Sequence, residues 1–228
     1  LAEGMDGIYK FTYTTLPGNF QFNTLEWELV EKIEPLTTTH EMHIIGSFNE
    51  WNAEDTSFPM NKSEDGTYWT GFLTITPDHY VDYAPNPGTA AALKVINHID
   101  GAYYGDADGE NFFLTEGTYC IKYIVETNAV EIQALDYYVV GTLLDAEGNA
   151  VNFAVKEGVS PKLVDGTVTF EAYDATGNKA FSWMTEQGKP GVMAIKVVFG
   201  CELGIKDWFS APDGDNFYIN AGSVTVTL

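Results

Sequence analysis

Five side chains in the first half of the sequence have the chemistry to hold an uncharged, hydroxyl-rich ligand. Trp51 follows an apolar strand-like run and a polar turn in HIIGSFNEW, residues 43 to 51. Lys94 stands in the apolar run ALKVI, which leads into HIDGAYYGD, where an Asp100-Gly101 turn precedes Tyr103 and Tyr104. Asn111 lies shortly beyond, in GENFF. A flat aromatic face stacks on the C–H face of a pyranose ring, a lysine ammonium donates hydrogen bonds to hydroxyls, and an asparagine both donates and accepts. Apolar stacking with a few orienting polar groups is what a sugar site needs. Two readings of Trp51 stand side by side. It folds back to cap a core, or it stays outside as a platform. Exposed aromatic surface costs folding stability, so the platform reading implies a partner that covers it.

The second half carries Lys196, Trp208 and Asn216 in a matching order, with no tryptophan where Trp51 would fall. Trp183, in KAFSWMTEQG, is a core residue or a second platform. Other constellations are weaker. Asp106, Asp108, Glu110 and Asn111 place oxygens as a calcium loop does, but the full loop pattern is missing and a solvated turn is expected. His40, His43, His79 and His98 lack metal-ligand spacing. Carboxylates abound, yet no acid is marked as one of a glycosidase pair. Ser160, Ser182 and Ser210 have no nucleophile-elbow context. The expectation is therefore a protein without catalytic residues, metal or cofactor.

Composition narrows the partner. The 228 residues carry a net charge of −22, with 33 acidic residues against 11 basic ones, and all the basic residues are lysine. Such a field repels phosphate, so nucleic acid is excluded as a partner, and anionic membrane surfaces are disfavoured for the same reason. A neutral or cationic partner fits. No stretch approaches the roughly 20 apolar residues of a membrane span. No signal peptide begins at Leu1, as in a mature or trimmed chain. Cys120 and Cys201 fall in different halves and read as unpaired small core residues rather than as a disulfide.

The elements that must position these groups are strands. Apolar and polar residues alternate in TVTFEAY, SVTVTL and the Tyr9, Phe11, Tyr13 series, and LPGNF, EDGTY, AEGNA and APDGDN supply turns between them. The stretch from Glu26 to Glu34 is the nearest approach to a helix and reads equally as a strand. The expected fold is all-β, built as tandem immunoglobulin-like β-sandwich modules. An internal repeat sets the organisation. Ile44-Ile45-Gly46 matches Val139-Val140-Gly141, Asp65-Gly66-Thr67 matches Asp165-Gly166-Thr167, and Leu93-Lys94-Val95 matches Ile195-Lys196-Val197. Tyr103-Tyr104 falls opposite Trp208-Phe209, and DGENF at 108–112 matches DGDNF at 213–217. The expected modules are 40–134 and 137–228, with 1–36 as the tail of a preceding domain or as strands packed on the first module. The short link at Leu135 and Asp136 should leave the modules little freedom.

GSFNEW, DGTYW, LKV…DGAYYG and GENFFLTEGTY together resemble carbohydrate-binding modules of the glycogen-binding type, such as that of the AMP-activated protein kinase β subunit. They resemble still more the tandem modules of the SusE and SusF starch-binding lipoproteins of Bacteroidetes. The resemblance covers residue 40 to about residue 132 well and 137–228 more weakly. It implies that Trp51 stacks on glucose, that Lys94 is the sugar-binding lysine, and that Asn111 is the asparagine near the closing strand. Tyr103 is the implied second stacking aromatic, usually a tryptophan, with Tyr104 sharing or replacing it. Lys196, Trp208 and Asn216 are the corresponding second-module residues. It further implies a non-enzymatic, cell-surface outer-membrane lipoprotein, anchored by lipid upstream of Leu1. Its partners would be an α-glucan such as starch and other surface glycan-uptake proteins. The alternatives are the same fold serving another glycan, and an adhesin or scaffold with no glycan site.

Overall fold

In a computed structural model of the chain, the described residues are 7–14, 24–32, 41–143, 145, 147, 149–172, 193–220 and 222–228. The chain divides into two compact units, Leu1–Thr39 and His40–Leu228. In the first unit, β1 (Gly7–Thr14) and β2 (Thr24–Lys32) form an antiparallel hairpin with a register shift at Ile8/Tyr9. The stretch with helical and strand readings is thus strand through Lys32.

The second unit holds two β-sandwiches in tandem, and no α-helix occurs among the described residues. One sheet of the first sandwich joins β3 (Met42–Gly46), β6 (Ala91–Asn97), β7 (Tyr103–Tyr104) and β8 (Phe112–Leu114), with β6 at the centre. The facing sheet joins β4 (Asn61–Lys62), β5 (Tyr68–Ile75), β9 (Gly117–Ile124) and β10 (Ala129–Ala134) in the order β10-β9-β5-β4. Period-two alternation explains the core between them. Ala91, Leu93 and Val95 of β6 face Trp69, Leu73, Ile75, Ile121 and Tyr123 of the other sheet.

The second sandwich repeats the plan. Its larger sheet joins β11 (Asp136–Gly141), β13 (Met193–Cys201), β14 (Gly204–Phe209) and β15 (Phe217–Ile219). Against it lies a pair, β12 (Thr167–Ala172) and β16 (Gly222–Thr227). Val139, Ile195 and Val197 pack there against Val168, Phe170 and Val226. The two sandwiches meet directly: Cys120, Leu135 and Cys201 form one buried cluster with Phe72, Phe199 and Leu203. Leu135 is therefore part of the contact as well as of the link.

Candidate functional site

The turn that carries Trp51 is built by its own sequence. Gly46 ends β3 where a Cβ would stand 2.2 Å from the Ala92 carbonyl oxygen, so only glycine fits. Ser47 ties the next turn down, donating from its hydroxyl to the His79 carbonyl (2.6 Å) and accepting from the Ala92 N–H (3.1 Å). Asn49 accepts the Gly46 N–H at 3.0 Å and donates to Asp55 at 3.1 Å. Hydrogen bonds from Ser57, with a smaller contribution from Asn49, hold the Asp55 carboxyl below its ordinary value. Glu50 and Trp51 then take left-handed backbone conformations, φ +56° and +59°. For a tryptophan this costs on the order of 1–3 kcal/mol. The Trp51 N–H closes the turn on the Gly46 carbonyl at 2.9 Å.

The result is a half-buried indole that belongs to none of the buried hydrophobic clusters among the described residues. Its Nε1–H donates to the Tyr83 hydroxyl at 3.1 Å, and Tyr83 is 57% exposed. The Tyr83 ring meets Phe113 edge to face, with centroids 6.5 Å apart. Phe113 pairs with Ala92 across β8 and β6. Since Ala91, Leu93 and Val95 point into the core, Ala92, Lys94 and Ile96 point outward, and Phe113 shares their face.

Lys94 and Tyr103 continue that outer face. Tyr103 lies opposite Ile96 and is 51% exposed. From Ala92 to Ile96 the strand rises about 13 Å, so Trp51, Tyr83 and Phe113 stand toward one end and Tyr103 toward the other, with Lys94 between. The Lys94 ammonium donates to the Gly109 carbonyl at 2.7 Å, which spends one of its donors on the β7–β8 loop. Within that loop the Asp106 carboxylate accepts the N–H groups of Asp108 (3.0 Å) and Glu110 (2.8 Å). The Asp106 carboxylate thus builds the turn, and no group of three or more His, Cys, Asp or Glu among the described residues is arranged to hold a metal. Asn111 is half-buried, one residue before β8. Tyr104 corrects the expectation. It pairs with Val95 and packs into the core against Tyr123, centroids 4.5 Å apart, so it has no place on the Tyr103 face. The strand period, which turns adjacent tyrosines to opposite faces, is the reason.

The second sandwich repeats this construction position by position. Lys196 donates to the Gly214 carbonyl at 3.3 Å. Trp208 lies opposite Val198, two residues beyond Lys196, as Tyr103 lies two beyond Lys94; it is 49% exposed, and the Lys196 ammonium is 6.0 Å from its ring. Asn216 precedes β15 as Asn111 precedes β8, and its N–H donates to Asp215 at 2.8 Å. Gly141 meets Ala194 as Gly46 meets Ala92, with a would-be Cβ 2.1 Å from the carbonyl oxygen.

Three aromatic residues escaped the sequence reading. Tyr83 sits in the β5–β6 connection, and Phe113 is the outward member of the Phe112-Phe113 pair, which strand alternation alone would have revealed. Phe153 takes the station of Trp51. Asn152 and Phe153 are left-handed (φ +37° and +57°), and the Phe153 N–H donates to the Gly141 carbonyl at 2.9 Å. A longer loop before Asn152 hid the match. Trp183 lies outside the described residues.

Two concavities lie away from these platforms. One of about 400 Å³ is lined by Gly66, Tyr68, Lys122 and Val125. Another of about 330 Å³ opens beside β16, lined by Ile195, Val197, Phe209, Phe217 and Val226. Phe209 and Phe217 belong to the core-facing side of their sheet yet are 38% and 40% exposed. No helix among the described residues is long and apolar enough to cross a membrane. No family model, curated protein or solved structure matches this chain.

Proposed function

We propose that this protein binds polysaccharide without transforming it, using the outer face of the β3-β6-β7-β8 sheet as an aromatic platform. The observation that carries the reading is the Trp51–Tyr83 pair. A strained turn holds an indole outside the core, and its N–H is satisfied by a tyrosine that is itself exposed. Backbone strain and bare aromatic area both cost stability, and a ligand that covers the rings offsets that cost. Lys94, Tyr103 and Asn111 extend the face with a cation, a second ring and an amide. The absence of arginine and the charge of −22 favour an uncharged polymer. An α-glucan such as starch is the ligand that the resemblance to SusE and SusF proposes, with surface display as an outer-membrane lipoprotein and other glycan-uptake proteins as neighbours. Trp208, Lys196 and Asn216 form a second, smaller platform, and two sites on one short-linked pair of sandwiches raise retention on a polymer. Each site binds weakly, roughly micromolar to millimolar, because a shallow face buries little ligand.

Affinity electrophoresis in gels with and without amylopectin tests this. Wild type is retarded, and Trp51→Ala, left with the smaller second platform, is retarded much less. Retardation by a different polysaccharide alone would keep the platform and change the glycan. A second reading, an adhesin or scaffold, is favoured by the exposed apolar side of Phe209 and Phe217. Free migration of the wild type in every polysaccharide would decide for it.

A further inference from the structure

We propose that Cys120 and Cys201 are a convertible thiol pair whose oxidation to a disulfide ties the two sandwiches together. Cys120 lies in the middle of β9 and Cys201 ends β13, so the pair bridges two sheets of different sandwiches. Both are free thiols, 0% and 3% exposed, and with Leu135 they form the buried cluster at the contact. The two side chains share that one cluster, and Cys201 stands opposite Gly204 across the β13–β14 turn. The approach is close by construction. The β13–β14 turn comes so near β9 that a Cβ on Gly204 would stand 3.2 Å from the Cys120 sulfur and 3.5 Å from the Phe72 ring.

The two thiols are not alike. Cys201 is held below the ordinary thiol value by the hydrogen bond from Cys120 and by the N–H groups of Leu203 and Gly204, which favour its thiolate. Cys120 is pushed up by its bond to Cys201 and by burial. The N–H groups of the turn favour Cys201 as the attacking sulfur, with Cys120 as the resolving one. The Cys201 thiolate attacks one sulfur of a low-molecular-weight disulfide such as glutathione disulfide, forming a mixed disulfide and releasing one thiolate. Cys120 then gives its proton to solvent and attacks the Cys201 sulfur, forming the Cys120–Cys201 bond and expelling the second thiolate. Both cysteines are oxidised, and the reagent takes the two electrons and is reduced to two thiols. Both sulfurs are buried, so exchange proceeds through local opening of the β13–β14 turn beside Cys201.

The test uses the full chain in glutathione buffers of graded redox poise without denaturant, followed by alkylation and peptide mass spectrometry. A cross-linked peptide pair containing Cys120 and Cys201 is expected, with the intact mass about 2 Da lower and the melting temperature roughly 5–10 °C higher. Cys201→Ser should leave Cys120 alkylatable once unfolded, and Cys120→Ser should stop at a glutathione adduct on Cys201. The wild-type result stands even where a variant folds poorly. The proposal is overturned if both thiols remain reduced at oxidising poise, if only glutathione adducts form, or if the cross-link appears only after denaturation.

Discussion

Trp51 and Phe153 occupy the same backbone station in two sandwiches, and their side chains take opposite courses. Each is the second of two left-handed residues, and each closes its turn on the carbonyl of a strand-ending glycine. Trp51 then reaches an exposed tyrosine, whereas Phe153 lies down on the outer face against Val140, Val155 and Val198. One turn geometry therefore presents an aromatic in the first sandwich and seals a surface in the second. What decides is the surroundings. The short first turn sits beside a connection that supplies Tyr83, while the longer second one is organised by Asp145 and Lys156, paired at 2.8 Å. Function attached to such a turn is a property of its neighbours, and the shared geometry alone does not confer it.

The sharpest way to break the equivalence is at the two glycines. Gly46→Ala and Gly141→Ala each drive a Cβ to within 2.2 Å and 2.1 Å of a backbone oxygen, where neither strand can yield. Each should lose roughly 3 kcal/mol or more of stability in urea unfolding. A mild effect at only one site would show that the sandwiches do not share this joint.

The second test separates presentation from burial. Phe153→Ala should cost about 2–3 kcal/mol, below the roughly 3–5 kcal/mol of a fully buried ring because Phe153 is half-buried, and leave retardation in amylopectin unchanged. Trp51→Ala should sharply reduce retardation and leave the melting temperature within a few degrees of wild type. Exchanged outcomes, with Trp51→Ala unfolding the protein and Phe153→Ala releasing the glycan, would refute the contrast.

Acid sharpens it further. Lys156 above all, with the N–H and amide of Asn149, holds the Asp145 carboxyl far below its ordinary value of 3.8. A folded value below the unfolded one means that protons bind the unfolded chain more readily. The stabilisation is complete above about pH 4 and is lost as pH falls toward the folded value. Melting temperatures below pH 4 should therefore drop steeply in wild type and less steeply in Asp145→Asn. Parallel curves would remove Asp145 from the account.

The sequence made the strands and the repeat readable because period-two alternation and Asp-Gly turns are local signals. Trp51 stood out as a tryptophan just past a turn, Lys94 as a cation in an apolar strand and Trp208 as a large ring in a strand. Tyr104 was misread because two adjacent tyrosines look alike until the register turns one inward. Tyr83 and Phe153 stayed hidden for a different reason. Their positions depend on loop length and on left-handed backbone, and neither leaves a periodic trace. The contact of Cys120 with Cys201 is long-range and depends on how one sandwich lies on the other.

The smallest expected effect concerns the two lysines. Lys94 and Lys196 do the same work on the β7–β8 and β14–β15 loops, but their bonds measure 2.7 and 3.3 Å. The shorter bond is the stronger, and both are open to solvent, so each contributes little. Lys94→Met should cost about 1 kcal/mol and Lys196→Met a few tenths. If Lys94 also meets a sugar with its remaining donors, Lys94→Met should weaken glycan retention by more than that loss of stability accounts for. A loss of about 3 kcal/mol with unchanged retention would make Lys94 a loop anchor alone, and the platform would then rest on its rings.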